Sequence, residues 1–237
     1  MNIALTDIRM SEKCKKALEE RGFSVIALPP FFAFETAVQS HPDMLLFYLN
    51  RKLFVHEEYK AAANEELSLL TQLKPDVEIL FTHDKVNEVY PNDIIFNAAC
   101  VGRHLFGRLD HVSPSVLRHA ESEGLSLHNI KQGYSACSCC VVDSNSIITS
   151  DISLAKAAES VGLSVLLIKE GHITLPCHEY GFIGGACGLF NNSIYFIGNI
   201  YSHPNSKEII AFTAARGVET VSLSDEPLAD CGKIIFI

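Results

Sequence analysis

Two rhythms of apolar positions alternate along the chain, and they do so in the same order several times. Residues 10–28 (MSEKCKKALEERGFSVIAL), 113–130 (SPSVLRHAESEGLSLHNI), 153–168 (SLAKAAESVGLSVLLI) and 205–223 (NSKEIIAFTAARGVETVSL) share one plan. Ser or Asn stands near the start, where a side-chain oxygen can cap free N–H groups. A helical period follows and stops at glycine, which tolerates the left-handed conformation past a helix end. A short apolar strand comes next. Residues 57–81 are a looser copy in which Lys74-Pro75 ends the helix, because proline disfavours helix in the residue before it.

The segments before these helices repeat as well. IALTDI (3–8), LFVHE (53–57), LFGRLDHV (105–112), IITSDI (147–152) and IYFIGNI (194–200) are strands that end in polar residues as a helix begins. Further upstream lie another apolar run and a tight polar connection, such as Asp143-Ser144-Asn145 or Asn191-Asn192, which is hairpin chemistry. Arg51-Lys52 and Arg103-His104 fall at equivalent hairpin turns. The unit is therefore strand, strand, strand, helix in five copies, with helix ends marked at 22, 75, 124, 162 and 217. A period of this size predicts a repeat architecture. The fifth copy is split: VETVSLS and CGKIIFI lie at the C-terminus, NIALTD and its helix at the N-terminus. Pairing of residues 2–7 with 233–237 would close a ring and remove open sheet edges. The pattern predicts one α/β domain over 1–237, with amphipathic helices outside the ring.

Composition narrows the function classes. A net charge of -9 disfavours nucleic acid as a partner, since phosphate contacts need a basic surface. No apolar stretch approaches the ~18 residues needed to cross a bilayer. The start MNIALTDIRMSEK lacks the basic and apolar regions of a signal peptide. These features predict a soluble, cytoplasmic protein with no membrane partner. Its eight cysteines then read as thiols, most of them small buried hydrophobes.

Five pseudo-repeats with the last one split across the termini resemble the pentein fold, the five-bladed α/β propeller of the guanidine-modifying enzymes, with ββαβ repeats and pseudo-fivefold symmetry. The stretch GHITLPCHEYGFIGGACG (171–188) is similar to an uncharacterised bacterial pentein-type family. The resemblance covers essentially the whole chain. It implies an axial small-molecule pocket and a cysteine nucleophile from the fifth repeat, a place held by Cys231 in LADCGKIIFI. It also implies a histidine from the fourth repeat, where Phe182 stands here, and an acidic residue from the third, where Tyr134-Ser135-Ala136-Cys137 stands. His178 and His172, upstream of Phe182, are the imidazoles able to replace the missing one. The implied function is a Cys-dependent hydrolase or transferase acting on a guanidino or related C–N compound. The altered columns keep an alternative open: a non-catalytic pentein that binds a small molecule or a protein partner such as the ribosome.

The candidate site therefore comprises Cys231, His178 and His172 for catalysis, and Glu179, Asp7, Asp151, Cys137 and Phe182 for substrate. Carboxylates are required because a guanidinium pairs with their matching fork. Asp7, Asp110, Asp151 and Asn199 also have a local reading, as acceptors for turn and helix-start N–H groups. Cys137-Ser138-Cys139-Cys140, read as a strand, puts Cys137 and Cys139 on one face, within reach of zinc with His172 or His178. The usual two-residue spacer between ligand cysteines is missing, so the pattern predicts no metal site, and nothing in it calls for a cofactor. Phe31-Phe32-Ala33-Phe34 is an aromatic cluster that reads as a lid, an oligomer contact or a buried anchor.

Overall fold

A computed structural model describes residues 1–237. Five three-stranded sheets follow one another along the chain. The first is opened by β1 (Asn2–Asp7), α1 (Glu12–Glu19) and β2 (Phe23–Leu28). The second holds the helical turn α2 (Pro42–Leu45), β3 (Leu46–Leu49), β4 (Lys52–His56), α3 (Asn64–Leu73) and β5 (Glu78–Thr82). The third holds β6 (Ala99–Val101), β7 (His104–Gly107), α4 (Pro114–Ser122) and β8 (Ser126–Asn129). The fourth holds the turn α5 (Ser135–Ser138), β9 (Cys140–Asp143), β10 (Ser146–Thr149), α6 (Ile152–Ser160) and β11 (Ser164–Leu167). The fifth holds β12 (Cys187–Phe190), β13 (Ser193–Phe196), α7 (Ser206–Ala214) and β14 (Glu219–Ser222); β15 (Ile235–Phe236) returns to the first sheet.

Every sheet has the same topology. A hairpin strand pairs antiparallel with a central strand, and the strand after the helix pairs parallel with it. The order is ββαβ. In the first sheet the hairpin partner of β1 is β15, from the other end of the chain: Ala4 faces Phe236 and Leu5 faces Ile235. Ile3 and Ile237 exchange both backbone hydrogen bonds at 2.9 Å.

The helices form for local reasons. Glycines 22, 124, 162 and 217 all have positive φ just past a helix end, and α3 stops at Lys74 before Pro75. Caps are less uniform than the sequence suggests. Ser11 accepts from Cys14 N, but α6 is capped by Asp151, which accepts from Leu154 N at 2.6 Å. Ser113 makes no side-chain cap. Asn205 makes none either; its Oδ1 takes Lys169 N instead, tying α7 to the segment after β11.

The five units are joined around the axis by a closed circuit of hydrogen bonds. Asp43 N donates to Gly232 O at 3.0 Å, Cys231 N and Lys233 N donate to Gly185 O, and Gly185 N donates to Cys137 O at 2.9 Å. Ala136 N donates to Asn97 Oδ1 at 2.8 Å, and Asn97 Nδ2 returns to Asp43 O at 3.4 Å. Each link joins neighbouring units, so the side chains just before each hairpin strand face one central region.

Three segments depart from the strands expected of them, all at this axis. Cys137 lies in α5, not in a strand, and β9 begins only at Cys140. The glycine-rich run before β12, whose pattern reads as a strand, forms turns at 183–186 instead. Cys231 precedes β15, because Gly232 and Lys233 both take positive φ (67° and 75°) and interrupt the extended chain. The aromatic cluster is an anchor: Phe31 and Phe34 are buried edge-to-face against each other, and Phe31 packs on Tyr59, leaving Phe32 exposed. No helix is long and apolar enough to cross a membrane.

Candidate functional site

At one end of the axis lies a pocket of about 710 Å³. It is lined by Asp7 at the end of β1, Arg9, His41 before α2, the irregular segment from His172 to Glu179, and Ala229, Asp230 and Cys231 before β15. A second cavity of about 310 Å³ shares His41, Leu175, His178, Glu179 and Asp230 with it and adds Glu35, Tyr134, Cys137 and Phe182. Seven of the eight residues singled out from the sequence thus line one pair of adjoining cavities: Cys231, His178, His172, Glu179, Asp7, Cys137 and Phe182.

Asp151 stands apart. It lines neither cavity, and its carboxylate is occupied by Leu154 N and by Gln132 Nε2 at 3.0 Å. The local reading of the strand-end acids holds for it and for Asn199, which accepts from Tyr201 N.

Asp7 is buried and already paired. Arg9 grips it through Nε at 3.0 Å to Oδ1 and Nη2 at 2.6 Å to Oδ2, and the same guanidinium donates to Thr36 O and Ala37 O. Arg9 is the only lysine or arginine in the lining of the larger pocket. Asp230 accepts from Phe182 N at 2.8 Å and Gly232 N at 3.0 Å. Gly181 and Gly185 pack so closely on the Asp230 carboxylate that a Cβ on either would collide with it. Burial raises the Asp230 carboxyl above its usual range, opposed first by His41. His178 Nε2 lies 3.1 Å from Glu35 Oε1, and both are partly exposed at the rim. His172, with φ 62°, sits edge-on to His203.

Cys231 is held as a thiol. Burial pushes its pKa up, and Asp7 and Asp230 push it further, against a smaller opposing effect of Arg9. The other thiols differ in exposure. Cys14, Cys137, Cys139, Cys140 and Cys187 are buried, and only Cys177 is exposed. Burial pushes Cys100 up to about 12. Alkylation of the native protein at pH 8, mapped by peptide mass spectrometry, should therefore modify Cys177 first and Cys231 and Cys100 slowly. The five buried cysteines should react only after denaturation; fast labelling of Cys139 or Cys187 in the native state would contradict the packing.

Sequence reading missed His41, Asp43, Asn97 and Asp230. His41 is 2% exposed, with Nε2 at 3.8 Å from Asp7 Oδ2 and Nδ1 at 3.9 Å from Asp230 Oδ1. Asp43 accepts the Cys137 thiol at 2.9 Å. A signal was present: Asp43, Asn97, Cys137, Gly184 and Cys231 stand just before the hairpin strand of successive units. Aligning the units on those strands places the five positions two to four residues before the strand in every unit.

Comparison with solved structures places the architecture. A cysteine-to-serine mutant of the dimethylarginine dimethylaminohydrolase from Pseudomonas aeruginosa, complexed with citrulline, superposes with a TM-score of 0.55 at 13% identity, over 94% of this chain and 91% of that one. The agmatine deiminase of C. jejuni gives 0.56 at 10% identity, covering 99% and 92%. An amidinotransferase of saxitoxin biosynthesis from Microseira wollei gives 0.55 at 12%, covering 94% and 77%. Five ββαβ units joined through the two termini and around a common axis are the pentein α/β propeller that these enzymes share. No curated protein matches the chain by sequence. The chain belongs to the family of unknown function DUF6873, whose model matches residues 5–235.

Proposed function

We propose that the chain takes a small cationic guanidino or related C–N compound into the axial pocket and that Cys231 attacks its central carbon. One observation carries this reading: a thiol, imidazoles and carboxylates from different units line one pocket whose only arginine is already paired. Asp230 and Glu179 are the carboxylates left to face a cation. The structural neighbours named above act on guanidino compounds, and one of them holds citrulline once its cysteine is serine, which supports the same class here.

The chemistry follows from the electrostatics. Asp7 and Asp230 add to burial in keeping Cys231 protonated, and of the two Asp230 is the one left to attract a cation. A guanidinium docked among them cancels their effect and lowers the thiol pKa, so that the nucleophile forms when substrate is present. The Cys231 proton passes to an imidazole as sulfur bonds to the guanidino carbon. The carbon–nitrogen bond breaks, and the departing amine takes a proton from an imidazole. Water adds to the same carbon, gives its proton back to the imidazole, and the carbon–sulfur bond breaks. His178, oriented by Glu35, and His172 are the imidazoles on the rim that carry the proton.

Labelling of the intact protein with 2-chloroacetamidine and with iodoacetamide tests this. The cationic reagent should modify Cys231 at least tenfold faster than the neutral one. A panel of arginine, agmatine and methylated arginines should show release of ammonia or amine that disappears in Cys231→Ser. Equal labelling rates, with no turnover of the panel, would sink the reading. The non-catalytic alternative would then lead, favoured by Phe182 at the place where the resemblance implies histidine.

A further inference from the structure

Beside the nucleophile pocket, and independent of any role for Cys231, lies a second constellation. We infer that His41, Asp43 and Cys137 form a binding site for a divalent transition-metal ion of the zinc type. A ring nitrogen of His41, a carboxylate oxygen of Asp43 and Sγ of Cys137 all lie within 4.8 Å of one another, and all three residues are buried. Tetrahedral zinc with bonds of about 2.0–2.3 Å needs donors roughly 3.3–3.8 Å apart, so Cys137 and Asp43, 2.9 Å apart at their hydrogen bond, must open slightly while any longer separation closes to complete three corners.

Three features set this trio apart from an ordinary buried polar contact. First, His41 Nδ1 and Asp43 Oδ1 are enclosed and have no hydrogen-bond partner, an arrangement that is unfavourable unless something binds there. Second, a donor is aimed at the sulfur. Asn97 Oδ1 accepts from Ala136 N at 2.8 Å, which fixes the amide orientation and points Nδ2 at Cys137 Sγ, 3.1 Å away. Such an N–H stabilises sulfur as an acceptor, the state of a metal-bound thiolate. Third, the charges balance. A thiolate 2.9 Å from the Asp43 carboxylate would be strongly repelled, whereas a dication between them leaves the cluster neutral with His41 as a neutral ligand. Lys233 is a buried cation that also acts on Asp43 and lines a further cavity with it.

The ligands come from two units, which only ring closure brings together. His41 and Cys137 line the 310 Å³ cavity with Tyr134, Phe182 and Asp230. A fourth coordination position directed there would be open to water or a ligand, as in zinc sites that keep one exchangeable corner. Loading is balanced simply: the metal–sulfur bond forms as the Cys137 S–H proton leaves to solvent.

The experiment is zinc and cobalt titration of chelator-treated full-length protein. One equivalent of zinc should bind with a chromophoric competitor present, and cobalt should give a near-ultraviolet thiolate charge-transfer band. Zinc affinity should fall at least 100-fold in Cys137→Ser and in His41→Gln, and stay unchanged in Cys177→Ser. Zinc-edge X-ray absorption of the wild-type complex provides a reading without any variant that must fold: one sulfur with nitrogen and oxygen ligands. Absence of saturable binding would overturn the site. So would two or more sulfurs at the metal, which would place it among Cys139, Cys140 and Cys187 instead. These outcomes do not depend on the Cys231 labelling test, so either proposal can fail alone.

Discussion

A chain ending at Gly232 should lose its cooperative thermal transition. The missing residues 233–237 carry both hydrogen bonds between Ile3 and Ile237 and the pairing of β15 with β1. They also carry buried Ile234 and Ile237, and Phe236, whose ring lies 4.8 Å from that of Phe23 and 5.4 Å from those of Phe190 and Tyr195. A fully buried side chain of this size contributes about 1.5–3 kcal/mol. Two buried and two half-buried side chains together approach the ~5–15 kcal/mol that typically separates folded from unfolded chains. The cut also strips β1 of its hairpin partner and the fifth unit of its links through Lys233 N and Ile234 N. Calorimetry or far-ultraviolet circular dichroism on heating would check it. A truncated chain that melts like the parent would show that the termini do not close the ring.

Gly184→Ala should be strongly destabilising although the change adds only one methyl group. A Cβ at this position would sit 2.5 Å from each of three backbone oxygens, those of Ala136, Cys137 and Cys139. Backbone cannot swing aside as a flexible side chain can. The seam between the fourth and fifth sheets must therefore open, with strain on the Gly185 N to Cys137 O bond. Overpacking of this kind costs about 3 kcal/mol or more, which for a chain of this length lowers Tm by roughly 6–12 °C. Gly162→Ala is the useful contrast. It meets nothing within 4 Å and is strained only by its φ of +85°, so it should cost about 1 kcal/mol. A Gly184→Ala melt as mild as that of Gly162→Ala would contradict the packing at the seam.

The repeat was legible because its signals are local. A capped helix, a glycine at its end and a β-rich run beyond it are consequences of backbone sterics that need no partner. Repeating them five times with the last copy split left ring closure as the arrangement that removes open edges. The same reading takes 137–140, the glycine-rich run before β12 and the chain from Cys231 as strands, and the structure has there a helical turn through Ser138, turns at 183–186 and an irregular segment before β15. Those segments meet the other units at the axis, and their conformation answers to the hydrogen-bond circuit rather than to their own β propensity. Lys233 is the clearest case: a residue with a side chain held at φ 75°, where local preference would put an extended chain.

The same division runs through the site. Cys231, His172, His178 and Glu179 could be named because a resemblance assigns places within a repeat, and His178 and Glu179 lie close to one such place in the chain. His41, Asp43 and Asp230 could not. His41 and Asp43 precede an apolar run like any polar loop residues, and Asp43 meets Cys137 across 94 positions of sequence. Asp151 shows the converse error: an acid at the right place in its repeat, but turned to its own helix by the nearest free N–H. By itself the sequence determined the five units, their helix ends and the pairing of the two termini, because each rests on short-range sterics and periodicity. Only the tertiary structure decided which polar side chains share the axis, because that depends on closure bringing together residues that no local interaction links.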